Sequence, residues 1–227
     1  MRIFDSHVHF WKRDMLDYSW LSGELDRDFL PEDLIARAGD NLPEKLMFVE
    51  AGSNSPTLEE VAWVESLNDP RIAGIVAHAP LELDEQEVRP IVEKLAAHPL
   101  VKGIRRLIQS EGDGFAMQPD FLAGVQMLAD YDLSFDICVL HPQMGDVLDL
   151  VLNCPGVRFV LDHVGKPGIK DGLMDPWREQ ITTLAGFPNV HCKLSGMVTE
   201  ADLANWTPDG LRPYIDHIVG AFGIERL

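Results

Sequence analysis

Ile3-Phe4-Asp5-Ser6-His7-Val8-His9 opens the chain with an apolar, β-prone run that ends in two imidazoles. Residues two apart on a strand project from the same face, about 7 Å apart along it, so His7 and His9 point the same way. A doubly wound sheet would follow its first strand with a glycine-rich phosphate cradle; this turn carries imidazoles instead. Comparable runs recur at Leu46–Ala51, Ile72–His78, Val101–Leu107, Ser134–Leu140, Val157–Asp162 and Val190–Leu194. The seven runs start on average about 31 residues apart, the size of one βαβ unit.

Segments of helical period lie between them, each with a start signal. Ser55-Pro56 precedes Leu58, Val61, Ala62 and Glu65; Pro119 precedes Phe121, Leu122, Val125 and Leu128; Asp175-Pro176 precedes Trp177, Ile181 and Leu184. Ser55 is expected to cap, with the prolines in first turns. Strands alternating with such helices predict an α/β protein with a parallel sheet covered on both faces, forming one domain over residues 1–227. Trp11 to Leu30 is the one long irregular connection, expected as a loop at the catalytic end.

The 227 residues include 37 Asp and Glu against 19 Lys and Arg, a formal charge of −18. Nucleic acid and anionic membranes are repelled by such a chain and are excluded as partners. Cys138, Cys154 and Cys192 are widely spaced and odd in number, which argues against a disulfide framework and for a reducing, cytoplasmic setting. The first residues lack the apolar run of a secretory signal.

Barrel active sites are built at the C-terminal ends of the strands, and histidines gather there. His7 and His9 end the first run, His78 the third, His141 the fifth and His163 the sixth. Two imidazoles on one strand face can converge on a metal; as a bare pattern His-x-His also suits ordinary hydrogen-bonded histidines. Asp5 shares their face and is either a partner that orients a histidine or a buried acid beneath the site. Arg105 and Lys193 offer positive charge to a developing oxyanion, with carboxylate pairing as the alternative; Arg106 points to the opposite face. Trp20 and Glu50 are candidate substrate contacts together with His78, although Trp11 and Trp20 equally suit a small core within their own loop.

The ordered set Asp5-Ser6-His7-Val8-His9-Phe10-Trp11, Arg27-Asp28-Phe29-Leu30-Pro31, Lys102-Gly103-Ile104-Arg105-Arg106, Asp162-His163-Val164-Gly165-Lys166-Pro167 and Lys193-Leu194-Ser195-Gly196 resembles the amidohydrolase-related family, in its sugar-lactone hydrolase branch. The resemblance runs the length of the chain. It implies a (β/α)8 barrel with one divalent metal, zinc by preference, or a metal-free descendant. The resemblance makes His7, His9 and His163 the ligands; read from charge and strand-end position, Lys193, Arg105 and His141 join His163 as the expected catalytic residues for a small sugar-derived or carboxylated lactone. A metal-dependent decarboxylase and a barrel that only binds ligand are the alternatives.

In many members of the wider superfamily an aspartate ending the eighth strand takes a proton from the attacking water. Asp202, Asp209 and Asp216 precede any eighth strand and read as a solvated helical face and its cap. The spacing places that strand near residue 221, where the helical pattern of Leu211, Tyr214, Ile215, Ile218 and Phe222 has just ended. Gly223-Ile224-Glu225-Arg226-Leu227 is then expected as the lead-in to a strand beyond Leu227, leaving the barrel one strand short, its metal site incomplete and its activity low.

Overall fold

The computed structural model describes residues 2–227 and divides into two compact units, residues up to 79 with 91–105, and residues 80–90 with 106–227. In the first unit four parallel strands, β1 (Phe4–Val8), β2 (Lys45–Val49), β3 (Ile72–His78) and β4 (Val101–Arg105), pair in chain order. Helices α1 (Pro31–Ala38) and α2 (Thr57–Ser66) lie between strands, and α3 (Glu85–Ala96) passes from the second unit into the first. The rest of the second unit runs α4 (Pro119–Met127), β5 (Ser134–Ile137), α5 (Met144–Asn153), β6 (Arg158–Leu161), α6 (Trp177–Ala185), β7 (Val190–Cys192) and α7 (Pro208–Phe222), with β5, β6 and β7 parallel in chain order. All seven expected strands are present, and the strand-helix alternation is that of a (β/α) barrel. No helix among the described residues is long and apolar enough to cross a membrane.

β3, β4 and β5 are buried on both faces along most of their length, which is why they read as near-continuous apolar runs, whereas β1 leaves Phe4 and Ser6 exposed. Leu46, Phe48, Ile75 and Ile104 in the first unit and Phe135, Phe159 and Leu161 in the second are fully buried. Each such side chain contributes about 1.5–3 kcal/mol by leaving water. In the second unit an aromatic file runs from Phe115 through Phe121 and Phe135 to Phe159, with centroids 4.9, 6.0 and 6.2 Å apart. The three cysteines are buried as thiols.

The strand ends differ from the sequence reading in informative ways. β5 stops at Ile137, three residues short of Leu140, and His141 instead opens a 3-10 turn, His141–Gln143. Pro142 cannot donate to a ladder, and the Leu140 amide donates to Gln143 Oε1. β4 ends at Arg105 rather than Leu107 because the Arg106 guanidinium turns aside to Glu82 and Glu111 and donates to the Leu107 carbonyl. Ser55 does not cap α2; its hydroxyl accepts from the Asp17 amide, and Pro56 occupies the cap position. The last helix is capped by Thr207, whose side chain accepts from Gly210 N–H, while Asp202 accepts from Ala204 N–H in the turn before it. Residues 224–226 form a 3-10 turn, with Arg226 donating to the carbonyls of Ala185, Phe187 and Val190.

The 11–30 connection makes its own small core. Trp11 pairs with Phe29 in an antiparallel bridge, donates Nε1–H to the Arg27 carbonyl, and packs on Phe29 and Trp20 at 4.5 and 5.3 Å.

Gly124 shows how tightly α4 is seated, since a Cβ there would stand 2.3 Å from the Leu81 carbonyl oxygen. Gly124→Ala is expected to destabilise the protein by about 1–3 kcal/mol, the usual cost of overpacking, read as a lower urea midpoint with the slope unchanged.

Candidate functional site

Each unit carries a cluster of polar side chains just beyond the C-terminal ends of its strands. In the first unit β1 delivers His7 and His9 to the same side, as its two-residue period requires. Their Nε2 atoms lie 3.0 Å apart, and the rings meet edge to face at 4.7 Å. His9 Nδ1 lies 2.8 Å from the Val49 carbonyl oxygen. A carbonyl can only accept, so Nδ1 carries the proton and Nε2 the lone pair. Asp5 accepts from the His7 backbone N–H at 3.1 Å and steadies the end of β1.

Residues at the end of β2 make a second polar layer. Arg105, 4 % exposed, donates Nε–H to Glu50 Oε1 at 2.6 Å and Nη2–H to the Glu50 carbonyl at 2.6 Å. The other Glu50 oxygen accepts from Gly52 N–H at 2.7 Å. Glu60, buried on α2, accepts from Ala51 N–H at 3.0 Å. Burial, then the charge on Glu50, pushes its carboxyl up to about 8, against the opposing pull of that amide and of Arg105. Trp20 donates Nε1–H to the Ala51 carbonyl at 2.8 Å, bringing the long loop onto the same strand end. His78, half-buried, ends β3 level with Arg105 on β4.

In the second unit the register brings three charged residues together. Asp136 on β5 is level with Val160 on β6, and Val160 with His191 on β7. Two residues further on, positions 162 and 193 return to the same face. Lys193 accordingly lies between two buried carboxylates, its Nζ 2.5 Å from Asp136 and 2.8 Å from Asp162. Burial opposes the lysine charge, but the pull and hydrogen bonds of both acids outweigh it and raise its pKa. Lys193 therefore keeps its proton at neutral pH.

His163 follows β6 in a turn whose backbone is left-handed at His163, Val164, Gly165 and Lys166, with φ of 51°, 51°, 70° and 45°. A β-branched residue such as Val164 rarely adopts this conformation, at a cost of about 1–3 kcal/mol. The fully buried Trp177 donates to the Val164 carbonyl at 2.7 Å, and Val164 N–H donates to the Lys193 carbonyl at 3.2 Å. The imidazole that this turn presents has Nδ1 2.9 Å from Ser195 Oγ. Gly196 packs so closely that a Cβ would fall 2.6–2.7 Å from the His163 side chain, at a φ of +68°. His141, on its 3-10 turn, is tied by its backbone N–H to the Lys166 carbonyl at 3.3 Å.

Reasoning from the sequence missed Asp136, Glu60, Trp177 and Ser195 as parts of these clusters. Asp136 was visible as an acid inside an apolar strand, Ser-Phe-Asp-Ile, where a lone carboxylate signals a buried partner. Trp177 is legible only as an apolar position of its helix and Glu60 not at all, since helical period marks burial and does not mark what a buried polar atom touches.

Residues 4–227 match the amidohydrolase family, and the chain belongs to it. It is 32 % identical to the L-fucono-1,5-lactonases of Burkholderia ambifaria and Burkholderia multivorans, over 98 % of this chain and 77 % and 79 % of theirs. A crystal structure of an amidohydrolase from Burkholderia multivorans with bound zinc superposes with a TM-score of 0.86 at 32 % identity, covering 100 % of this chain and 82 % of that one. The protein is thus an enzyme of the hydrolase class with the amidohydrolase (β/α)-barrel fold.

Two outcomes test the packing of these clusters. Glu60 binds its proton more tightly folded than unfolded, so it stabilises the fold below its ordinary value of 4.5, and that contribution is lost as the pH climbs toward about 8. Glu60→Gln, which keeps the accepting oxygen, is expected to flatten the fall in unfolding free energy across that window in urea titrations. Gly196→Ala is expected to displace His163 and to cost about 1–3 kcal/mol through its left-handed backbone. An unshifted thermal midpoint would contradict that account of Gly196.

Proposed function

We propose that this hydrolase opens the ester ring of a small sugar-derived or carboxylated lactone. The observation that carries the reading is the pair of imidazoles at the end of β1. Two tetrahedral ligands about 2.0–2.1 Å from one ion lie roughly 3.3 Å apart, and the Nε2 atoms of His7 and His9 stand 3.0 Å apart with the Val49 carbonyl fixing the tautomer of one. Such a donor set fits a divalent ion, zinc by preference, which the Burkholderia multivorans structure also holds. His163 is the third ligand in this reading, with Ser195 at Nδ1 and Nε2 as the ligating nitrogen. A divalent ion supplies polarisation of an ester carbonyl and acidification of water.

The chain's own residues do the rest. Lys193, protonated between Asp136 and Asp162, is a fixed positive charge for a developing oxyanion and not a base. As water adds to the carbonyl carbon its proton passes to His141, which gives it to the ring oxygen as the carbon-oxygen bond breaks. Arg105 acts as a positioning residue that holds Glu50 at the end of β2, where Glu50, Trp20 and His78 face the substrate's hydroxyls. The lactonase relatives favour this chemistry for the chain.

His163→Ala and Lys193→Ala are each expected to lower kcat/KM for L-fucono-1,5-lactone by two or more orders of magnitude in a pH-indicator assay, with the circular dichroism spectrum retained. Full turnover in both variants, or carbon dioxide release from a carboxylated substrate without acid release from a lactone, would overturn the reading.

A further inference from the structure

The arginines of the second unit and its buried Lys193 are matched inside the molecule, and Lys170 lies exposed to solvent. Arg89, Arg106, Arg158, Arg178 and Arg212 each face a carboxylate, and Lys193 faces two. Arg226 caps backbone carbonyls. Lys166 is different. It is half-buried, and among the described residues its Nζ meets no carboxylate, only the amide oxygen of Gln109. In a chain of formal charge −18, acidic partners are abundant, so a half-buried ammonium held by a neutral amide has been left with charge to spare.

The position is built. Lys166 closes the left-handed turn after His163, with its amide donating to the His163 carbonyl at 2.9 Å and its own carbonyl taking the His141 amide. Gln109 is fixed in turn. Its backbone N–H donates to the Cys138 carbonyl at 3.1 Å, its side-chain oxygen also takes the Cys138 thiol, and Gln143 Nε2 ties the preceding Ile108 carbonyl at 3.0 Å. An ammonium has three donors, and Gln109 accepts one. Two donors and a full charge remain on a side chain whose root lies within three residues of His163.

We infer that Lys166, oriented by Gln109, is a carboxylate-binding subsite of this enzyme. The inference rests on the lactone-hydrolase reading, because lactone opening creates a carboxylate. That carboxylate has two possible sources: the one formed when the ring opens, and a permanent one carried elsewhere on the substrate. Charge-assisted hydrogen bonds from a partly desolvated ammonium hold either source.

The metal-loaded protein, its Lys166→Met and Gln109→Leu variants, and Lys166→Arg as the charge-preserving rescue distinguish these cases. L-fuconate, the acid that opening of L-fucono-1,5-lactone yields, serves as inhibitor and as calorimetric titrant; D-glucaro-1,4-lactone supplies a permanent carboxylate beside an intact ring. Loss of one charge-assisted contact corresponds to about tenfold or more. The expected result is a rise of that size in the L-fuconate inhibition and dissociation constants for Lys166→Met, a smaller rise for Gln109→Leu, and recovery in Lys166→Arg. A matching rise in KM for D-glucaro-1,4-lactone alone, with L-fuconate binding unmoved, supports the inference with the substrate's own carboxylate as the ligand. Unmoved constants in all three measurements overturn it while leaving lactone hydrolysis standing. A wild type that turns over neither lactone refutes the hydrolase reading; the subsite then stands if L-fuconate still binds in a Lys166-dependent manner, and falls if it does not.

Discussion

Lys193 is placed between Asp136 and Asp162, and burying three charges in this way is expensive. Each ion loses several kcal/mol of hydration, recovered only where partners are close and well aligned. The recovery here depends on register: one residue of slip between β5, β6 and β7 would turn Asp136, Asp162 or Lys193 to the opposite face and leave unpaired charges behind. The ion cluster therefore discriminates strongly among registers, whatever its net effect on stability. The same register fixes where β6 ends, and so where the turn carrying His163 begins.

The first unit follows a similar scheme with different residues. Arg105 and Glu50 form a buried pair linking the ends of β4 and β2, and the Glu50 charge helps to keep Glu60 protonated. Rigid strand ends of this sort suit a chemistry that needs imidazole nitrogens held within tenths of an ångström. Strain in the 163–166 turn belongs with this: the backbone cost is borne by the indole of Trp177, the Lys193 carbonyl and the small size of Gly165 and Gly196.

How much of this was legible in the sequence depended on the range of the interaction. The strands were legible because apolar runs record burial directly, most fully in β3, β4 and β5, which are buried on both faces. His7 and His9 were legible because a two-residue period needs no knowledge of the rest of the fold. Lys193 was legible as a charge at a strand end but not as the partner of Asp136, since the two are 57 residues apart and only the pairing of β5, β6 and β7 brings them together. The early ends of β4 and β5 escaped the reading because side chains decide them: Arg106 and Gln143 take over backbone groups that an apolar pattern would have assigned to the ladder. The capping role expected of Ser55 went to nothing, its hydroxyl being taken by Asp17 from a distant loop.

The central claim is that the imidazole pair of His7 and His9 holds one divalent ion that supports lactone opening. Metal content by inductively coupled plasma mass spectrometry, measured with L-fucono-1,5-lactone hydrolysis on the same samples of the wild type and of His9→Ala, tests it most directly. The account predicts close to one equivalent of zinc in the reconstituted wild type, loss of both metal and turnover in His9→Ala, and loss of turnover in the wild type on chelation with return on zinc addition. Undiminished hydrolysis by chelated, metal-free protein, or a full equivalent of zinc retained by His9→Ala, would contradict it.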